Sequence, residues 1–469
     1  MPRRGLAIVV ATVLGIPATA HARDVVFVAN AEGGTVSVVD ARTFTVLREL
    51  NILPDGRNAA LGTDDPMHAL VGQRIIEAAG GNNYAQDQDL SPDGRTLYVS
   101  RGHRGDVAAF DLASGRLLWK VAIPGLRSDH MTLSDDGRRL YVSALTDNHV
   151  YVVDTVAKAI VGSFATGEWP HDNHITHDGK LVLNGSLGNI VAPKEARGPT
   201  LLTVADTQTL EVKRTYEFDA GVRPFVLANH DKTMYAQLSE YHGLIEYDLE
   251  AGKITRKLDL PIDPGVTEDD WDFEAPHHGL ALSPDEKTLC AAGRASDYVA
   301  LVSTETMQPT KFIEVGDAPG WATNTPDGRY CFVTNTRADT LSVISYAAQR
   351  EVTRVKVGDG PKQLESGQVP LEVLCGDNAD CRPVLRLSRR CAGGGRLRLG
   401  LVGDTDAVQA VSYRLGRKRV VSRSRSPFTA TIARRALEAT RARRLQATVR
   451  LTGESRPLVL TRRLSRCGL

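Results

Sequence analysis

The chain has no C-x-x-C-H motif, so nothing in it marks a site for a covalently attached c-type haem. It has no H-E-x-x-H, and no serine stands out as a nucleophile, which removes two common hydrolase signatures. Past the N-terminus no apolar run is long enough to span a bilayer, so no transmembrane segment is expected. Aromatic residues make up only 6 % of the chain, and no aromatic series is interleaved with its arginine clusters. That argues against single-strand stacking, and hence against nucleic acid as partner.

What is there begins with an export signal. Arg3 and Arg4 form a positive start, Leu6–Ile16 an apolar stretch, and Ala20-His-Ala22 a small-x-small cleavage site, so residues 1–22 read as a signal peptide. No cysteine follows to carry a lipid anchor. A secreted or otherwise extracytoplasmic, cell-envelope location is expected. Cysteine usage agrees, because Cys375, Cys381, Cys391 and Cys467 cluster near the C-terminus and suggest two disulfides. Three connectivities are open to four cysteines.

Net charge, +1 over the chain, hides a division. From Leu371 onward there are 22 Lys and Arg against 7 Asp and Glu, a net of +15. The remainder carries 35 basic and 49 acidic residues, a net of −14. Such asymmetry marks two domains in different surroundings, residues 23–370 and 371–469. In the second, short alternating apolar runs separated by turn residues predict a small β-sandwich, similar to the Ig-like modules of exported bacterial proteins. Its positive charge would attract an anionic cell-wall polymer.

The first domain is repetitive. Leu90–Ser100 (LSPDGRTLYVS), followed by Val107–Asp111, returns as Leu133–Ser143 with Val150–Asp154, as Leu282–Ala291, as Thr325–Asn335 and, more loosely, as Thr176–Asn184 and Asn229–Gln237. The turn positions Gly94, Gly137, Gly179, Lys232, Glu286 and Gly328 are spaced by 43, 42, 53, 54 and 42 residues. A period of this length with four short strands per unit predicts an all-β fold, a seven-bladed β-propeller. The N-terminal unit lacks its first strand, and Gly360–Val369 is placed to supply it. Phe27-Val-Ala-Asn30, Leu97-Tyr-Val-Ser100, Leu140-Tyr-Val-Ser143 and Phe332-Val-Thr-Asn335 resemble the YVTN-repeat (YncE-like) family of secreted prokaryotic propellers. The resemblance implies architecture; for function it implies no more than an exported binding or scaffold protein.

Three long insertions interrupt the repeat, at Asn51–Gln86, Gly188–Thr200 and Asp263–Ala275, all in connections expected on one face of the propeller. In the first, Asp64 or Asp65 can cap a helix begun by Pro66 and stopped by Gly80-Gly81, with Met67, Leu70, Val71, Ile75 and Ala78 at helical spacing. The third carries Glu268, Asp269, Asp270, Asp272 and Glu274 around Trp271, read as a solvated acidic loop or a rim attracting cations. Aligning blades on their turns brings Gln86 and Asp87, Asp129 and His130, His171, Asp172 and His174, and His277 and His278 to the channel mouth on that face, beside Trp321. Imidazole with carboxylate suits a divalent transition metal, so His130, His171, His174, His277 and His278 are candidate ligands. Hydrogen bonding to loop backbone is the plainer role for the same residues. Arg101, His103 and Arg104, and Tyr241-His242, belong to that face and could hold an anion. Cys290 and Cys331, in adjacent blades, either bridge them or remain free thiols. The expectation is a binding or scaffold protein with an unidentified ligand at the His-rich face; the alternative is a metal-dependent hydrolase or oxidoreductase.

Overall fold

The computed structural model describes residues 22–57, 66–78, 81–375 and 386–463, the last with gaps at 393–395, 403–407, 417, 426, 434, 437–443 and 452–456. The expected signal peptide, except Ala22 at its end, and Asp64, Asp65 and Gly80 lie outside the described residues. The chain divides into a unit spanning Arg23–Leu374 and a C-terminal unit from Cys375.

The first unit contains seven four-stranded antiparallel sheets, the blades of a β-propeller. Six are built from consecutive strands. In the first blade, the late strand Pro361–Pro370 lies inside Ala22–Asn30, followed by Thr35–Asp40 and Val46–Asn51. The strand expected from Gly360–Val369 therefore closes the ring and brings the first blade to four strands. Side chains of Val26, Val28, Val39, Phe332, Leu341, Val343 and Leu364 pack across the closing interface between blades seven and one.

The repeated letters have identifiable physical roles. In the Ser-Pro-Asp-Gly turn, Ser91 Oγ donates to Asp93 (2.6 Å) and accepts from the Thr96 amide (2.9 Å). Gly94 has φ +68°, a conformation in which a Cβ would be strained, and Glu286 holds the same place at φ +56°. In five blades an aspartate ends the third strand and turns the chain: Asp154 Oδ1 accepts from the amides of Val156 (2.8 Å) and Ala157 (2.7 Å), and Asp206 and Asp248 do likewise, while Ser303 and Ser345 take the place in blades six and seven. Second and third strands are buried on both faces because neighbouring blades cover them, as in Val25–Ala29. Outermost strands alternate, as in Ala159–Ala165.

Cys290 and Cys331 form a disulfide between the second strands of blades six and seven, with Cα atoms 6.6 Å apart. The expected helix is present at Pro66–Ala78. Its Ile75 is buried with Leu145, Trp169, Leu187 and Ile190, and Val71, Val191 and Phe273 pack on this cluster. All three insertions thus meet over one face of the propeller.

The C-terminal unit has a three-stranded and a four-stranded sheet. Leu387, Leu397, Leu399 and Ile432 from one share a core with Val411, Tyr413, Leu445 and Val449 from the other, which makes a small sandwich. Cys391 is disulfide-bonded. Cys381, Cys467 and the side chain of Cys375 lie outside the described residues.

Candidate functional site

The sequence places a β-bulge at the entry of the innermost strand in four blades. Register shifts fall between Ser128 and Met131, Pro170 and Asn173, Val222 and Phe225, and Pro319 and Ala322. A bulge re-aims consecutive side chains, here toward the propeller axis. All seven blades contribute to one cavity of about 50 Å³ at the channel mouth, four of them by way of this bulge or the residues flanking it. Lys362 comes from blade one, Gln86 from two, Arg127 and His130 from three, His171 from four, Arg223 from five, His278 and Arg294 from six, and Trp321 from seven. The third insertion adds Asp272, Phe273 and Ala275.

Phe273 roofs the cavity between the guanidinium groups of Arg127 and Arg223, 5.8 and 5.6 Å from its ring centre. Its carbonyl accepts from Arg223, and its ring stacks on Trp169 at 6.2 Å. Phe273 and Glu274 both adopt positive φ, 52° and 55°, a costly conformation held in place by the Arg197–Glu274 pair that joins the second and third insertions. Trp321 packs against His130 (4.5 Å) and His278 (4.7 Å) and also lines a wider channel of about 470 Å³ beneath.

At the centre, Asp129 accepts from His171 Nδ1 (2.9 Å), Arg127 (3.2 Å) and the Gln86 amide. Burial alone would raise its pKa, but the Arg127 charge, with His171 and His130, holds the carboxyl below the usual carboxylate range. His130 Nδ1 faces Asp87 Oδ2 at 3.2 Å, and its Nε2 meets the Gln86 amide nitrogen at 2.7 Å. Burial opposes protonation of His130, yet Asp129, Asp87 and Asp172 together raise its pKa. Burial pushes His171 down to about 4 despite Asp129, and lowers His278 well below the ordinary imidazole range. Burial, reinforced by Arg127 and Arg294, brings Lys362 down to about 7. Asp129, His130 and His171 each offer a ligand atom within 4.8 Å of the others, an arrangement that could hold a metal ion.

Of the residues singled out in the sequence, Gln86, Asp129, His130, His171, His278 and Trp321 are brought together here. Asp87 and Asp172 lie one step down the channel, where Asp172 holds His174 Nε2 at 3.1 Å. His174 lies in that channel, its ring on Phe225, away from the other imidazoles. His277 turns between blades five and six: Nε2 is 3.0 Å from Tyr298 Oη, and burial beside His242 keeps it neutral. Arg101 is fully buried, bonded to Asp106 (2.6 Å) and Asp55 (2.7 Å), and Arg104 joins Asp55 at 3.0 Å. The donors of Arg101 are thus turned inward onto these carboxylates. His103 Nδ1 accepts from the Asn83 amide at 2.7 Å. In the third insertion, Asp272 pairs with Arg294 and Arg337, both at 2.8 Å, and Glu274 with Arg197.

The cations Arg127, Arg223, Arg294 and Lys362 were not singled out by sequence reasoning. The signal for three of them was present, since Arg127, Arg223 and Lys362 stand at or next to the same strand entry in their blades. Counting back from the turns does not reveal the bulge that holds Arg223, or the one that begins just after Arg127.

No family model matches the chain, and no curated protein matches it. Among solved structures it is similar to a chain of Kuenenia stuttgartiensis hydrazine synthase, with TM-score 0.55 and 18 % identity, covering 73 % of this chain and 99 % of that one. At that identity the likeness concerns the fold alone.

Proposed function

We propose that this protein is an exported binding propeller of the YVTN-repeat type, whose ligand occupies the axial cavity beneath Phe273. One observation carries the reading: all seven blades direct a side chain into a single small cavity, and the third insertion covers it, backed by the other two through the packing of Phe273. A rigid ring with a separately built roof suits selective retention of a small ligand. The basic C-terminal unit, in this reading, holds the protein to an anionic envelope polymer.

A thermal-shift screen of the tag-free full chain against small metabolites and metal salts tests the proposal. A compound that raises the melting temperature of the wild type, and no longer does so in Trp321→Ala, is the expected result. A wild-type protein indifferent to the whole screen would count against a binding role.

The second reading, a metal-dependent hydrolase or oxidoreductase, is favoured by the closeness of Asp129, His130 and His171. Against it stand the two oxygens of Asp129, which already accept hydrogen bonds from Gln86, Arg127 and His171. Four neighbouring cations also oppose a further positive charge. Metal analysis of protein purified without a His-tag separates the two. Stoichiometric metal, lost in His130→Ala, would favour the enzyme.

A further inference from the structure

We propose that the axial cavity is an oxyanion site, one that holds a small phosphate, sulfate or carboxylate group on Arg127, Arg223 and Lys362. This deepens the binding role and rests on it. Arg223 is 1 % exposed, yet its Nε donates to Ser239 Oγ at 2.8 Å and its Nη2 to the Phe273 carbonyl, both neutral acceptors. Among the described residues it makes no ion pair. A buried guanidinium without a counter-ion is costly, and an anion arriving in the cavity would remove that cost.

Arg127 points the same way. It is 4 % exposed, and only its Nη2 is used, by Gln86 and Asp129; Nε and Nη1 are buried with no acceptor among the described residues. His171 Nε2, also buried, is equally unpartnered. Lys362 lines the cavity, and no described residue pairs with its ammonium. The carboxylates nearby are already committed, Asp129 to Arg127 and His171, Asp272 to Arg294 and Arg337, and Glu274, whose charge reaches Arg223, to Arg197. Planar guanidinium forks are suited to the geometry of oxyanions, and such charge-assisted bonds are strong in a dry site. Size narrows the class further. A water needs roughly 10–15 Å³ of such space, so a cavity of about 50 Å³ admits a group of a few heavy atoms and no nucleotide.

Calorimetric titration of the tag-free full chain in chloride buffer at pH 7 provides the test, with inorganic phosphate, sulfate and acetate as probes and zinc chloride as contrast. One-to-one binding of at least one oxyanion is expected, weakened on the order of tenfold or more in Lys362→Gln and in Arg223→Gln. Lys362→Gln breaks no hydrogen bond or ion pair among the described residues and so keeps the test valid if Arg223→Gln fails to fold. Preference for phosphate or sulfate would identify an inorganic ion, and preference for acetate the carboxylate of an organic ligand. Oxyanion binding unchanged in Lys362→Gln would overturn the proposal. So would zinc binding with no oxyanion binding, although the cavity would then remain a ligand site. If neither these probes nor any compound in the thermal-shift screen binds, the binding role itself fails.

Discussion

Half-buried groups of opposite charge occupy the two levels of the channel, and their protonation leaves opposite marks on stability. Glu365 lies in the lower channel, where burial and the nearby Asp87 raise its pKa to about 8. Between the ordinary glutamate value and about 8, the folded state therefore holds a proton that the unfolded state has released. Stability from this group is full at low pH and is lost as pH rises through that window. Glu365→Gln, which keeps the shape without the charge, should stabilise the protein at pH 8 and leave it nearly unchanged at pH 4. Denaturant midpoints at the two pH values check this, and an equal effect at both would contradict the assignment. Lys362 has the reverse sign. Its folded pKa is depressed to about 7, so the unfolded state binds the extra proton and this contribution grows as pH rises from about 7 toward 10. Arg101 belongs to a third class, a charge satisfied by the protein itself. Removing it leaves Asp106, 6 % exposed, without its guanidinium, so Arg101→Ala should cost about 3–5 kcal/mol in a chemical unfolding experiment.

At the scale of the element, what a ruler laid along the sequence reveals depends on whether register is kept. The blade strands, the closing strand and the face of the insertions follow from spacing alone, because alternation and turn chemistry repeat. The helix Pro66–Ala78 was legible from its own periodicity. Registration fails at the bulge. Asp129 and His130, or Arg223 and Pro224, stand where one residue would face one partner, and the sequence carries no mark of the doubled step. His277 shows the converse. Leu280 pairs with Ala291 as Ala322 pairs with Val333, so His277 takes the place of Pro319 and turns between blades. Its neighbour His278 reaches the cavity. The disulfide was left open by the sequence for the same reason, since facing side chains require a geometry that counting approximates. Cys290 and Cys331 enclose a loop of sequence separation 41, and replacing both by Ser should cost about 4 kcal/mol by the chain-entropy relation. Thermal melts of the double variant with and without reductant check this; the wild type should fall to the variant's value only when reduced. Closure is the other property of elements. A chain ending at residue 374 retains the strand Pro361–Pro370 and should melt cooperatively as a monomer, whereas one ending at 359 exposes the inner edge of Ala22–Asn30 and should aggregate.

For the whole molecule the governing quantity is the division of charge, net +15 from Leu371 onward and −14 before it. Neither unit's fold depends on this imbalance, since each has its own apolar core. Under the proposed function its consequence lies in association, since a strongly basic module would attract polyanions. Among the described residues no helix is long and apolar enough to cross a membrane. The attraction is between exposed charges and is therefore screened, with a Debye length of about 8 Å at physiological ionic strength falling to about 3 Å in molar salt. The full chain should accordingly sediment with anionic cell-wall material at low salt and be released as salt approaches 1 M. The chain ending at residue 374 should stay in the supernatant throughout. Retention of the full chain in molar salt, or equal sedimentation of both proteins, would mean that adhesion comes from the propeller or from apolar contact. In that case the arginines of the C-terminal unit would have to be explained by something other than a polyanion.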